Sequence, residues 1–344
     1  MAGIEDVAKL AGVSTATVSR ALSGKDNVSP AARKKVEDAA AALDYVVSSS
    51  AYTLATGRNR NIGVVMPFVD RWFFAVTLEA IESTLIASGY DLTLYNLSGG
   101  EEQRSRIFSD LLLRKRVDAV LTVAVHPSEE ELAYLNRVKK PIIAIGGQVA
   151  GARSLAMDDT HAGRLATEHL LSLGHTRVAN ISGYTGSDKE FNQANKRREG
   201  YLDALHEAGL EPMKKWLGET DYTALGAYQV AKQMLGDPKN SPTAIFCNSD
   251  EMAFGAILAA KDLGLRVPQD ISVIGIDNHD LSEFFGLTTI NQNVRAQATK
   301  ASEVLLELLA DPNLESHVNI EQDIEWDVEL LIRSSTARPS GSAR

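Results

Sequence analysis

From Asn61 onward, short unbroken runs of apolar and β-branched residues recur along the chain: NIGVVMP, YDLTLYN, VDAVLTV and PIIAIGG, then RVANISG, TAIFCNSD and ISVIGID. Helical stretches separate them. Strands that alternate with helices pair in parallel. A parallel strand covered on both faces has no polar side, so it reads as a continuous Val/Ile run rather than an alternating one. Two comparable sets of runs predict two α/β halves. Ligands of such sheets bind beyond the carboxyl ends of the strands, which places a site in the cleft between the halves.

Residues 1–60 have another texture. Ile4, Val7, Ala8 and Ala11 recur at spacings of three and four, so IEDVAKLA is a short helix with one apolar face. Gly12-Val13 turns the chain, and Ser14 caps a second helix, TATVSRALS, whose inner stripe is Val18, Ala21 and Leu22. Ser29 followed by Pro30 repeats the start signal and opens a third helix through Leu43. Three helices joined by turns of a few residues make a helix-turn-helix plan, whose second helix enters the major groove by its N-terminal end. Thr15, Ala16 and Arg20 face outward there. The Arg20 guanidinium is suited to guanine O6 and N7, Thr15 to a base edge or a thymine methyl, and Ala16 to apolar contact alone. Thr17 and Ser19 are expected on phosphate, and Ser14 and Asn27 are counted with the DNA-facing set.

Charge divides along the same boundary. Residues 1–60 carry eight Lys/Arg against six Asp/Glu, a net of +2, whereas the whole chain carries −10, leaving −12 on the remainder. A mildly basic head on an acidic body suits a nucleic-acid reader whose head alone touches the polyanion. The single cysteine, Cys247, rules out a disulfide framework and a multi-cysteine zinc site, and is expected to pack inside its strand. No apolar run approaches the roughly 20 residues that span a bilayer, and MAGIEDVAKLAGV lacks the basic-then-apolar layout of a secretory signal. A cytoplasmic protein without membrane contact, cofactor or metal is expected. No HExxH, GxSxG or phosphate-cradling glycine loop is present, so no enzyme is expected.

The runs DVAKLAGVSTATVSRALSG and NVSPAARKKVEDAAAALDYV are similar to the head of the lactose/galactose repressor family. The likeness continues in order through MDDTHAGRLATEHLLSLGHTRVANISG, RREGYLDAL and LTTINQNV. It implies an α/β core of periplasmic-binding-protein type, with two parallel-sheet subdomains behind an all-α helix-turn-helix head. The head would occupy 1–47, a hinge 48–60 and the core 61–338. The first subdomain would hold about 61–160 and 293–320, the second about 162–290 and 324–338. Crossovers are expected near His161, near Asn291 to Asn293 and near Ile320 to Ile324. QATKASEVLLELLADP would be a helix returned to the first half, and IEWDVELLIR a last strand in the second.

The resemblance also implies site residues. In the hinge, SSSAYTLATGR, Leu54 is the matching wedge that pries open a base step from the minor groove, and Ala51 and Ala55 allow two hinges to pack. Val47 and Ser48 stand where the family usually has proline and asparagine, so Ser48, Ser49 or Ser50 takes over the cap. Phe73 and Phe74 match aromatics that stack on a ligand, with one of them expected in the core. Arg197 matches an arginine that clamps ligand oxygens, with a solvated Arg198 as the alternative, and Tyr222 matches an aromatic against the ligand. Asp250 and Asp277 follow their strands directly as hydroxyl acceptors, Asp250 alternatively serving a helix dipole. Asp158 matches a cleft aspartate or stabilises the crossover, and Asn248 and Ser249 add polar contacts.

Gly146-Gly147 replaces a charged residue common in the family, which leaves the effector unnamed. The reading is a dimeric, sequence-specific repressor on palindromic operator DNA, controlled by a sugar or sugar derivative. The alternative is a corepressor-dependent regulator that binds a nucleobase or nucleoside. A secreted binding protein would share the body but not the head, and no trailing heptad supports a tetramer.

Overall fold

A computed structural model describes residues 2–22, 27–45, 53, 57–112, 116–138, 140–149, 151–184, 192–310 and 324–340. Helices α1 (Ile4–Ala11), α2 (Thr15–Leu22) and α3 (Pro30–Ala42) enclose a small core of Val7, Val18 and Val36, each sealed from water. Gly12 ends α1 at φ 69°, a conformation open to glycine without steric cost. The Ser29 hydroxyl accepts the Ala32 N–H at 3.3 Å beside Pro30, so both start signals operate at α3. Arg33 Nη1 donates to the Ala21 carbonyl at 2.6 Å and ties α3 to the end of α2.

The body has two six-stranded sheets of matching order. In the first, β1 (Asn61–Met66), β2 (Asp91–Asn96), β3 (Ala119–Val123), β4 (Ile142–Ile145) and β5 (Arg153–Met157) lie in the order β2-β1-β3-β4-β5. In the second, β6 (Val178–Gly183), β7 (Leu217–Thr220), β8 (Ala244–Cys247), β9 (Ser272–Ile276) and β10 (Thr288–Asn291) lie in the order β7-β6-β8-β9-β10. All these pairs are parallel. The seven continuous runs are strands of these sheets. β5, β7 and β10 carry no such run, because RSLAM, LGET and TTIN are short and polar-interrupted.

Helices cover both faces. In the first half α4 (Trp72–Ala87) and α11 (Val294–Ala310) share a core with Ile62, Val64, Leu121 and Ile143. The opposite face, with α5 (Gly100–Arg106) and α6 (Glu129–Val138) in its connections, packs Val65, Phe108, Leu112 and Leu135. In the second half α7 (Asp159–Ser172) and α8 (Gln193–Glu207) pack on Phe246 and Ile274, while α9 (Ala224–Leu235) and α10 (Asp250–Asp262) pack on Ile181 and Ile245. α7 and α8 approach so closely that a Cβ on Gly163 would strike the Arg197 carbonyl, and one on Gly200 the Thr160 carbonyl.

The chain changes sheets three times, after Met157, after Asn291 and after Trp326. The third crossing departs from expectation. Ile324–Trp326 forms β11, which pairs in parallel with β5 and extends the first sheet, and Glu329–Leu331 forms β12, antiparallel to β10 in the second. IEWDVELLIR is therefore two short strands in different sheets, and the crossing falls at Asp327-Val328 rather than at 320–324. Each piece covers the open edge of its own sheet, and an exposed strand edge is a liability that short strands relieve.

Candidate functional site

On the head, Ser14, Thr15, Ala16 and Arg20 are exposed along the start and outer face of α2, and Thr17 and Ser19 are half-buried. The Ser14 hydroxyl accepts the Thr17 N–H at 3.2 Å and lies 2.9 Å from the Thr17 hydroxyl, so the cap also orients Thr17. Asn27 is exposed ahead of α3. Ala51, Leu54 and Ala55, with Val47 and Ser48, lie outside the described residues.

Between the sheets lies a cleft of about 620 Å³, open to solvent. The first half contributes Phe68, Arg71, Phe73, Phe74 and Ala124, and the second contributes Gln193, Arg197, Tyr222, Ser249, Glu251 and Asp277. Gln292, at the second crossover, completes the lining. Most of these residues follow the carboxyl ends of strands, or open the helix that follows, where a parallel sheet leaves side chains free of its own packing. Ala124, Tyr222 and Asp277 have φ of 45°, 64° and 130°, conformations that cost about 1–3 kcal/mol apiece and gather at functional sites.

The aromatic wall is edge-to-face. Phe74 meets Phe73 at 5.2 Å and Phe68 at 5.7 Å between ring centroids, and the Arg71 guanidinium lies 4.2 Å above Phe68. Both Phe73 and Phe74 line the cleft while also packing on the first-half core, so neither is core alone. Tyr222 lies across Gly183, where a Cβ would occupy the space of its ring.

Arg197 is buried yet reaches the cleft. Its Nε donates to Asp159 Oδ1 at 2.7 Å and its Nη1 to the Asn248 carbonyl at 2.5 Å. Burial opposes its charge, and Asp159, Tyr222 and Asp277 together more than offset that cost. Asp277 accepts the Gln292 side-chain amide. Burial, reinforced by the charge of Asp250, holds the Asp277 carboxyl well above the usual carboxylate range.

Three expected cleft groups lie elsewhere or bind differently. Asp250 does not line the cleft. It sits beneath it, accepting from Ser282 Oγ at 2.6 Å, Thr289 Oγ1 at 2.7 Å and the His279 N–H at 2.9 Å, with room made by Gly275. Asp158 caps α7, accepting the His161 N–H at 2.9 Å, which is the crossover role rather than a place in the cleft lining. Arg198 is not solvated: it pairs with Glu219 at 2.7 Å and donates to the Asn180 side chain and the Gly218 carbonyl. Asn248 is fully buried, and Ser249 lines the cleft.

Sequence reasoning missed Phe68, Arg71, Gln193, Glu251 and Gln292. Their common signal is position just after a strand end, at the start of the helix that follows, or at a crossover. Several also bridge the halves: Arg71 donates to the Asp221 carbonyl and Gln193 Nε2 to the Gly146 carbonyl at 2.7 Å, and the Trp72 backbone lies beside the Glu251 carboxylate. Trp72 further donates from Nε1 to Asp280 at 3.1 Å and stacks on His279 at 4.7 Å. Among the described residues, no helix is long and apolar enough to cross a membrane, and no group of three His, Cys, Asp or Glu is placed to hold a metal.

A helix-turn-helix head joined to two parallel-sheet halves around a polar and aromatic cleft defines a ligand-responsive DNA-binding regulator. Residues 3–48 match the model of bacterial regulatory proteins of the lacI family, and residues 59–322 match that of periplasmic binding proteins and the sugar binding domain of the LacI family. The chain belongs to the LacI family of bacterial transcriptional regulators. It is 35% identical over 340 residues to the HTH-type transcriptional repressor PurR of Glaesserella parasuis serovar 5, covering 97% of this chain and 98% of that one. It also superposes on the Lac repressor dimer bound to operator and the anti-inducer ONPF, with a TM-score of 0.83, 28% identity, and coverage of 98% of this chain and 99% of that one. A LacI family regulator from Lactobacillus casei with bound sucrose matches with a TM-score of 0.69 and 29% identity, over 80% of this chain and 99% of that one.

Proposed function

We propose that the protein is a cytoplasmic homodimeric repressor that reads palindromic operator DNA through residues 1–47, with 48–60 as its hinge. Its affinity for that DNA is set by a small molecule in the cleft, and it has no catalytic role. The observation that carries this reading is the convergence of Phe73, Phe74 and Tyr222 with Arg197, Asp277 and Gln292 on one opening. Aromatic faces with a few fixed donors and acceptors suit a sugar ring with its hydroxyls. One module reads too few base pairs for useful specificity, so two-fold assembly on a palindrome follows.

The nucleobase or nucleoside reading has its own support, because Phe68 adds a further aromatic to the wall and a planar base stacks on such rings. The test is a melting-temperature screen against sugars, sugar phosphates, nucleosides and purines. A ligand at 100 times its Kd stabilises by about 2.7 kcal/mol, so the responding class names the effector. The absence of a shift with every one of these classes, in a protein that melts cooperatively, rejects the cleft assignment.

A further inference from the structure

Asp118 stands just ahead of β3, 3% exposed, and its carboxylate faces the segment through which the core receives the chain from the head. Both oxygens accept the Asn59 N–H at 2.9 Å, Oδ2 accepts the Arg60 N–H at 2.8 Å, and Oδ1 accepts Asn59 Nδ2 at 3.0 Å. Arg60 has φ 51°, in the left-handed region that residues with a β-carbon seldom enter. Successive N–H groups can converge on one anion where the chain turns through such a residue, and Asp118 supplies that anion.

The backbone closes the junction. Asp118 N–H donates to the Asn61 carbonyl at 2.7 Å, and Asp91 N–H to the Arg60 carbonyl at 2.8 Å. A buried carboxylate is an expensive way to tie a loop. The residues it holds bury little, since Asn59 is half-buried and Arg60 exposed, as are Gly57 and Arg58 ahead of them. What the bonds fix is the direction of the chain, not a core.

That direction is also linked to the cleft. Arg58 Nη2 donates to the Leu309 carbonyl at 3.1 Å, near the end of α11. The same helix begins beside Gln292, whose carbonyl accepts the Gln297 side chain at 2.6 Å. Its 17 residues form a rod of about 25 Å from the cleft to the linker.

We propose that Asp118 is a positioning residue that fixes the angle at which the linker leaves the core, so that movement at the cleft reaches the DNA-reading head. This rests on the regulator reading above. The experiment uses the full chain and, as probe, the duplex that the wild-type protein enriches from a random-sequence pool. Asp118→Asn is expected to weaken binding to that duplex at least tenfold, in a protein that still melts cooperatively. The slope of log K on log salt should not change, because the phosphate contacts of the head remain.

In the free protein, hydrogen exchange at the Asn59 and Arg60 amides should be slow in wild type and fast in the variant. Should Asp118→Asn fail to fold, Asp118→Glu keeps the charge, displaces it by one methylene, and is held to the same outcomes. Wild-type DNA affinity together with lost protection at Asn59 and Arg60 overturns the inference while leaving the regulator reading intact. A wild-type chain that enriches no duplex overturns both.

Discussion

Arg197 and Asp159 pair at 2.7 Å where α7 crosses α8, with both side chains nearly sealed from water. The glycines at that crossing bring the helices close enough for the pair to form, and the guanidinium then extends to the Asn248 carbonyl at the rim of β8. One side chain thereby joins the first crossover, a helix packing and the cleft lining.

The two partners should respond unequally to removal. Asp159→Ala strands a guanidinium that does not deprotonate, at a cost of about 3–5 kcal/mol. Arg197→Met leaves a carboxyl that burial already pushes upward and that escapes the penalty by taking a proton. Urea denaturation at neutral pH should therefore place Asp159→Ala below Arg197→Met in stability. The reverse order would show that the pair is not the buried contact described.

Gly200→Ala drives a methyl into the Thr160 carbonyl, which is backbone and has little freedom to yield. Overpacking of this kind costs about 1–3 kcal/mol, and here it should also separate α7 from α8. Denaturant midpoints check the first effect, and weaker binding of whichever ligand the melting screen returns checks the second. An unchanged midpoint would contradict the close approach.

Stability should carry the signature of Asp277. Its carboxyl is pushed up to about 8 by burial and by Asp250, so the folded state holds a proton that the unfolded chain releases. Stability from this group is present below the unfolded pKa and is lost as pH rises through the folded one. Asp277→Asn removes the dependence, so its melting temperature should gain on wild type between pH 5 and pH 8. Parallel pH profiles for the two proteins would refute the shift.

Arg20 and Lys34 are both exposed on the head but should fail differently when truncated. Arg20→Ala should relax preference at one base pair in each half-site by about 1–3 kcal/mol. Lys34→Ala on α3 should weaken all sequences alike and reduce the salt slope by about one. Selection from random duplexes, repeated with each variant, separates base readout from phosphate contact. An unchanged consensus with Arg20→Ala removes it from direct readout.

Much of the fold is decided locally and was legible in the residues. Val7 and Val18 mark the inner faces of the first two helices, Ser14 and Ser29 mark starts, and Gly12 marks a stop, because spacing and capping act within a turn or two of chain. The continuous runs announce parallel strands because burial on both faces leaves no alternation. Family motifs carried Arg197, Tyr222 and Asp277 to positions beyond strand ends.

Which side chains face the cleft was decided by tertiary structure. Asp250 and Glu251 are neighbours after β8, yet Asp250 turns down onto Ser282 and Thr289 while Glu251 lines the opening, and the partners that make this choice lie 32 and 39 residues away. IEWDVELLIR reads as one apolar strand, but only the free edges of β5 and β10 reveal that it serves two sheets. Asp118 likewise carries no local signal, since its donors are the backbone of Asn59 and Arg60 and the Asn59 side chain, brought to it by the register of β1 on β3. Periodicity and capping are properties of neighbours in sequence. Hydrogen bonding of a buried carboxylate belongs to neighbours in space, and these exist only once the sheets have formed.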